Sequence, residues 1–190
     1  MKPATLAKRL LPWFARHGRH DLPWQKNPTP YRVWISEVML QQTQVATVIP
    51  YFERFVARLP DVAALAAAPQ DAVLHLWSGL GYYARARNLR RAAREIVRLH
   101  RGALPATLPA LTALPGIGRS TAGAILALAH GNRHPILDGN VQRVLTRVFA
   151  VREPAGSAVT LARLWRLAED CTPRAQVAEY TQAVMDLGAT

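Results

Sequence analysis

The sequence predicts an all-α fold, and three observations carry that prediction. Gly and Pro punctuate the 190 residues every 15 to 25 positions or so, the segments between them follow helical periodicity, and convincing alternating strands are absent. Half of the residues are hydrophobic, which is enough for a packed core and excludes wholesale disorder. The length suits one ordinary domain or two small ones.

A first helix is expected from about Ala4 to Arg16, ending near Gly18. A Pro-rich passage follows, from Leu22-Pro23-Trp24 to Asn27-Pro28-Thr29-Pro30. Thr29 before Pro30 makes an N-cap and first-turn pair for a helix running to Gln41 or Gln42, because the hydroxyl can accept an orphan N–H and Pro lacks one. Further helices are expected at about 44–58, 62–67, 70–78, 82–101, 108–113, 119–130, 139–150, 158–170 and 174–187. The intervening loops are short, as compact helical domains prefer, and no shift of composition marks a linker.

The charge is lopsided. Twenty-four Lys+Arg against 12 Asp+Glu leave +12, and only Lys2, Lys8 and Lys26 are Lys. A globular chain this basic suits a polyanion, since the planar guanidinium fork can bind two phosphate oxygens. A GC-rich genome favouring Arg and Ala codons would leave the same composition. Cys171 is the only cysteine, so there is no disulfide framework and no Cys-based metal site within these residues. No apolar stretch of membrane-spanning length is free of charges or prolines, and the N-terminus lacks a signal-peptide pattern. The six histidines show no metal-ligand spacing. The chain reads as soluble and intracellular.

Arg87, Arg91, Arg94, Arg98 and Arg101 follow spacings of 4, 3, 4 and 3, which places all five on one helical face. Such a stripe is either a solvated face or a phosphate-binding one. Its near-single sign, broken only by Glu95, favours phosphate above background. Leu114-Pro115-Gly116-Ile117-Gly118-Arg119-Ser120-Thr121-Ala122-Gly123 joins two helical segments. A Gly-x-Gly turn permits positive φ and presents backbone N–H groups at the start of the next helix, a nest for a phosphate oxygen that Arg119 can reinforce. A plain turn between helices is the alternative.

Two carboxylates stand out. Glu37 is the sole ionisable group in Val33-Trp34-Ile35-Ser36-Glu37-Val38-Met39-Leu40. Partial desolvation there favours its protonated form, as a general acid requires; a structural Glu paired with an Arg is the alternative. Asp138 precedes Gly139 and a helical pattern, which makes it a good N-cap. The helix N–H groups should also keep it ionised. One neutral and one charged carboxyl divide the labour of cleaving a glycosidic bond through an oxocarbenium-like state.

The chain resembles the helix–hairpin–helix DNA glycosylases, and within them the MutY-type adenine DNA glycosylases. The resemblance runs through Leu22-Pro23-Trp24, Tyr31-Arg32-Val33-Trp34, Ser36-Glu37-Val38-Met39-Leu40-Gln41-Gln42-Thr43-Gln44-Val45 and Pro50-Tyr51-Phe52. It continues through Trp77-Ser78-Gly79-Leu80-Gly81-Tyr82-Tyr83-Ala84-Arg85-Ala86-Arg87-Asn88-Leu89, the hairpin, Leu137-Asp138-Gly139-Asn140-Val141 and Met185-Asp186-Leu187-Gly188-Ala189. It implies a two-lobed fold with the active site between the lobes. Residues 22–132 would form a six-helix lobe with Glu37 and the hairpin motif at about 108–130. Residues 1–21 with 133–190 would form the second.

The same resemblance implies removal of adenine mispaired with 8-oxoguanine or guanine from double-stranded DNA, after the nucleotide is flipped from the stack. Glu37 would protonate adenine and later serve the water. Asp138 would stabilise or covalently trap the sugar cation, and Asn140 would help orient the site. Trp24, Leu40, Gln41, Gln42, Tyr82, Ser120 and Gln182 match pocket or wedge positions, while Gly116, Gly118, Arg119, Arg85, Arg87 and Arg143 would meet the DNA backbone. Related strand-cleaving enzymes carry Lys at the Ser120 position. A hydroxyl cannot form their Schiff base, so the activity should be monofunctional.

A monomer in the bacterial cytoplasm, bound to nucleoid DNA and no membrane, is expected. The resemblance further implies a four-cysteine [4Fe–4S] loop just past Ala189 and admits a monovalent cation at the hairpin. Those cysteines are absent from residues 1–190, so the chain is expected to be a core lacking the cluster loop. The other readings are a related glycosylase acting on pyrimidines, and a DNA-binding module without chemistry.

Overall fold

The computed structural model describes residues 2–154 and 156–190, and among them there is no strand. The helices are α1 (Pro3–His17), α2 (Pro30–Leu40), α3 (Val45–Arg58), α4 (Val62–Ala67), α5 (Gln70–Trp77), α6 (Ala84–His100), α7 (Leu108–Thr112), α8 (Arg119–His130), α9 (Gly139–Val148), α10 (Ala158–Cys171) and α11 (Val177–Ala189). None of them is long and apolar enough to cross a membrane.

Helix starts follow local chemistry. Thr29 accepts from the Arg32 N–H at 3.3 Å with Pro30 in the first turn, as its sequence signature predicts. Asp61, Asp138 and Ser157 cap α4, α9 and α10 in the same way. Three expected boundaries move, and backbone conformation gives the reason. Tyr82 at φ 47° delays α6 to Ala84, Ala150 at φ 48° follows the end of α9, and Gln176 at φ 53° postpones α11 to Val177.

The chain divides into two compact units: Asp21–Ala122, and Met1–His20 with Gly123–Thr190. In the first, α2 packs on α3 and α6, α5 packs on α3 and α6, and α4 packs on α6. Trp34, Phe52, Phe55, Leu65, Trp77 and Leu89 are fully enclosed there. Burying each such side chain is worth roughly 1.5–3 kcal/mol before entropy is subtracted. α6 turns Ala86, Leu89, Ala92, Ala93 and Ile96 inward, while Arg87, Arg91, Arg94 and Arg98 stay exposed. In the second unit, α11 packs on α1 and α9, and α10 packs on the same two helices. Leu10, Phe14, Leu145, Leu164, Ala183 and Val184 lie in its core.

Helix ends show a recurring device. α2, α4, α10 and α11 carry no basic residue in their own last turn. Each receives an arginine from elsewhere on its terminal carbonyls: Arg85 on Val38 and Met39, Arg90 on Ala68, Arg133 on Glu169 and Thr172, and Arg143 on Gly188. The last carbonyls of a helix have no intrahelical partner and bear partial negative charge, so a guanidinium satisfies both needs.

Candidate functional site

Glu37 lies in the unit Asp21–Ala122, one turn before the end of α2. Seven of the helix's residues are buried, from Tyr31 to Met39, and Glu37 between Ser36 and Val38 is half-buried. Leu40 is half-buried as well. Trp24 is core: it is 6 % exposed and meets the Phe52 ring edge-on at 5.5 Å.

Two short segments carry the expected wedge residues, and both are held in unfavourable backbone. Gln42 has φ 57° and Tyr82 has φ 47°, and both side chains are exposed, Tyr82 to 61 %. Arg85, expected on the DNA backbone, instead turns inward. Its guanidinium donates to carbonyls of the α2 terminus, to Gln41 and to the loop before α6. Burial lowers its pKa from the ordinary arginine value. Arg87, by contrast, is exposed.

The hairpin between α7 and α8 anchors Leu114 and Ile117 in the core and leaves Gly116, Gly118 and Arg119 exposed. Its turn is closed by the Ile117 N–H on the Leu114 carbonyl at 3.2 Å. Only Gly116 of the two glycines uses positive φ, at 77°, and a Cβ there would lie 2.8 Å from Asn88 Cβ. A Cβ on Gly118 would meet nothing within 4 Å, so its missing side chain leaves the outer surface open rather than relieving strain. Gln41 Nε2 reaches Thr121 Oγ1 at 3.4 Å, linking the end of α2 to the start of α8. Ser120 is half-buried in that first turn.

Asp138 lies in the other unit. Its Oδ1 accepts from the Val141 N–H at 2.8 Å, so the N-cap expectation holds. The expected net pull of the helix N–H groups on its pKa does not. Burial pushes the Asp138 carboxyl above its ordinary value of 3.8, and this outweighs the Val141 and Asn140 N–H groups and the Arg143 guanidinium, which all pull down. Arg143, also expected at the DNA backbone, donates to Asn140 Oδ1 and to the Gly188 carbonyl, fastening the start of α9 to α11.

Sequence reasoning missed Asp186 as a buried group. It is 3 % exposed, and Arg19 grips it through its backbone N–H (2.8 Å), Nε (3.0 Å) and Nη2 (2.5 Å). Gln182, expected in the base pocket, donates Nε2 to the same carboxylate at 3.0 Å. The signal was an acid at the centre of an apolar helical run, the pattern that singled out Glu37. Close approach also explains Gly188, where a Cβ would run into the Asn140 carbonyl.

The residues present do not fit a [4Fe–4S] cluster. Such a cluster takes four thiolates, and this chain has one cysteine. Cys171 is buried, and burial pushes its thiol up to about 12, away from the thiolate a metal needs. Among the described residues no group of three His, Cys, Asp or Glu is arranged to hold a metal ion.

An all-helical chain with a glycine hairpin between helices, a carboxylate on a buried helix and a second one capping another defines the class. Residues 35–170 match the HhH-GPD superfamily of base excision DNA repair proteins, and the chain belongs to that family. It is 45 % identical over 190 residues to an adenine DNA glycosylase of Buchnera aphidicola, and 44 % identical over 190 residues to that of Homo sapiens. Those alignments take in 100 % and 95 % of this chain but 54 % and 35 % of the relatives, so the chain spans about half the length of its bacterial relative. Among solved structures, a thermostable thymine-DNA glycosylase superposes with a TM-score of 0.88 at 25 % identity, covering 98 % of this chain and 86 % of that one. An endonuclease III–DNA covalent intermediate superposes with a TM-score of 0.79 at 19 % identity, over 95 % and 82 % of the two chains.

Proposed function

We propose that this chain carries the glycosidic-bond chemistry of a monofunctional adenine DNA glycosylase acting on double-stranded DNA. The observation that carries the reading is identity of 45 % to an adenine DNA glycosylase across all 190 residues, against 25 % to the thymine enzyme. The mispair is adenine opposite 8-oxoguanine or guanine. Wedge residues Gln42 and Tyr82 part the duplex while the hairpin at Gly116, Gly118 and Arg119 holds a strand by its phosphates.

Glu37 then delivers a proton to the everted adenine as the bond from its ring nitrogen to the sugar C1′ breaks. The electron pair leaves with the base, and the sugar becomes an oxocarbenium ion. Asp138 stabilises that cation, with Asn140 orienting the site. Burial raises the energy of the Asp138 anion, so it gains more from a positive charge forming beside it than a fully hydrated carboxylate would. Glu37, now ionised, takes a proton from the attacking water. The products are free adenine and an abasic site. Ser120 supports the absence of a lyase step, because a hydroxyl cannot form an imine with the sugar. The protein acts as a monomer in the bacterial cytoplasm. A monovalent cation at the hairpin carbonyls belongs to the same reading, and a cluster is no part of the chemistry of these residues.

A single-turnover assay tests it, on a duplex with adenine opposite 8-oxoguanine, quenched with and without hot alkali. Strand breaks should appear only after alkali. Glu37→Gln should lower the rate by roughly 100-fold or more while duplex binding stays within about twofold, since general acid catalysis is typically worth 10²–10⁴. Excision at the parental rate by that variant would remove Glu37 from the mechanism.

A further inference from the structure

Arg85 is the second residue of α6 and faces the loop before that helix and the end of α2. Nη1 donates to the carbonyls of Val38 and Met39, both at 2.9 Å, and of Gln41 at 2.5 Å. Nη2 lies 3.2 Å from Thr43 Oγ1, 3.3 Å from the Leu80 carbonyl and 3.4 Å from that of Gly81. The guanidinium carbon sits 5.4 Å from the ring centroids of both Trp77 and Tyr82. The Trp77 indole N–H donates to the Gly81 carbonyl as well, at 3.1 Å.

One cation therefore holds two segments that are forty residues apart in sequence. Each contains a non-glycine residue in the left-handed region, Gln42 in one and Tyr82 in the other. Such residues are strained and persist where surrounding structure over-determines them. Arg85 supplies that surrounding for both at once. The planar fork matters, because two terminal nitrogens in one plane can address two loops; an ammonium is a single point.

We propose that Arg85 is a positioning residue that locks segments 41–43 and 80–82 into one rigid wedge, fixing where Gln42 and Tyr82 enter the duplex. The proposal rests on the reading above that these two side chains insert beside the mispair. Arg85 touches no reacting atom; it acts through the main chain of the residues that do the parting. Through the Gln41 side chain and Thr121, the same wedge is tied to the hairpin, so the strand grip and the wedge move together.

Two measurements test this. In amide hydrogen exchange, Arg85→Lys should speed exchange about tenfold or more in 41–44 and in 79–82 together, the loss of one charged hydrogen bond being enough for that factor. Thr43→Val, which removes one acceptor of Arg85 and the hydroxyl donor to the Gln41 carbonyl, should loosen 41–44 alone. Parental exchange at either segment in Arg85→Lys would overturn the clamp. In single-turnover excision, Arg85→Lys should lose about tenfold in the parent but less than about twofold in a Gln42→Ala/Tyr82→Ala background, because coupled residues are non-additive. Equal losses in both backgrounds would mean that Arg85 acts by some other route. A parent that excised no adenine would refute the glycosylase reading, and the exchange comparison would still decide the clamp.

Discussion

Asp138 lets the structural and chemical roles of one residue be separated by two substitutions. Its Oδ1 caps α9 through the Val141 N–H at 2.8 Å. Asn caps as well as Asp does, whereas Ala leaves that N–H without its acceptor, at a cost of about 1 kcal/mol. Burial raises the carboxyl above 3.8 in the folded state. The native state therefore holds its proton to higher pH than the unfolded chain, so this group's contribution is greatest below pH 3.8 and is lost as pH rises through the folded value.

Asp138→Asn keeps the cap and removes that loss. At pH 7 it should be at least as stable as the parent, and more stable than Asp138→Ala by the cap, about 1 kcal/mol or 2–4 °C in Tm for a chain of this size. Its adenine excision should nevertheless be abolished. Thermal melts followed by circular dichroism from pH 4 to pH 8 or so read the stability, and the alkali-quenched assay reads the chemistry. If Asp138→Asn melted below Asp138→Ala, the capping geometry would be wrong. If it excised adenine at the parental rate, the carboxylate would have no catalytic charge to lose.

Gly116 and Gly118 should separate in the same spirit. Gly116→Ala places a Cβ 2.8 Å from Asn88 Cβ at φ 77° and should destabilise by about 1–3 kcal/mol in denaturant melts, while Gly118→Ala should stay within about 0.5 kcal/mol yet weaken duplex binding. Exchanging Arg91, Arg94 and Arg98 for Gln should flatten the dependence of log affinity on log salt by roughly 0.9 for each phosphate that is no longer neutralised. An unchanged slope would make the α6 stripe a solvated face. Asp186→Ala should cost about 1–3 kcal/mol in the same melts, because the Arg19 and Gln182 donors lose a buried acceptor. A loss under about 1 kcal/mol would show that water replaces the carboxylate.

What could be read in the sequence was local. Thr29-Pro30 and Asp138-Gly139 announce their helices because a cap is a relation between residues three apart. The arginine face of α6 follows from spacing alone. Glu37 and Asp138 stood out through their neighbours in the chain. What escaped was set by distant groups. The direction of the Asp138 shift depends on burial that the cap cannot reveal. Arg85 and Arg143 were read as phosphate ligands because nothing within a few residues shows that their acceptors are carbonyls at 38–41, 80–81 and 188.

The two uses of arginine have a common physical root. A planar fork of donors suits two phosphate oxygens, and it suits two successive main-chain carbonyls at a helix terminus equally well. Residue type alone cannot separate the uses; the position of the acceptor does. Four helices here lack a basic residue in the last turn and borrow an arginine, and Arg32 similarly donates to the Pro23 carbonyl. Arg19 and Arg163 pair with Asp186 and Glu153. The formal +12 therefore overstates what faces a duplex. The cations that the proposed reading assigns to phosphate are a smaller set, with Arg87, Arg91, Arg94 and Arg98 exposed on α6 and Arg119 exposed at the hairpin. Salt dependence of binding should accordingly follow substitutions at those five positions and be nearly indifferent to conservative changes at Arg90 or Arg133, whose charge is directed at helix ends.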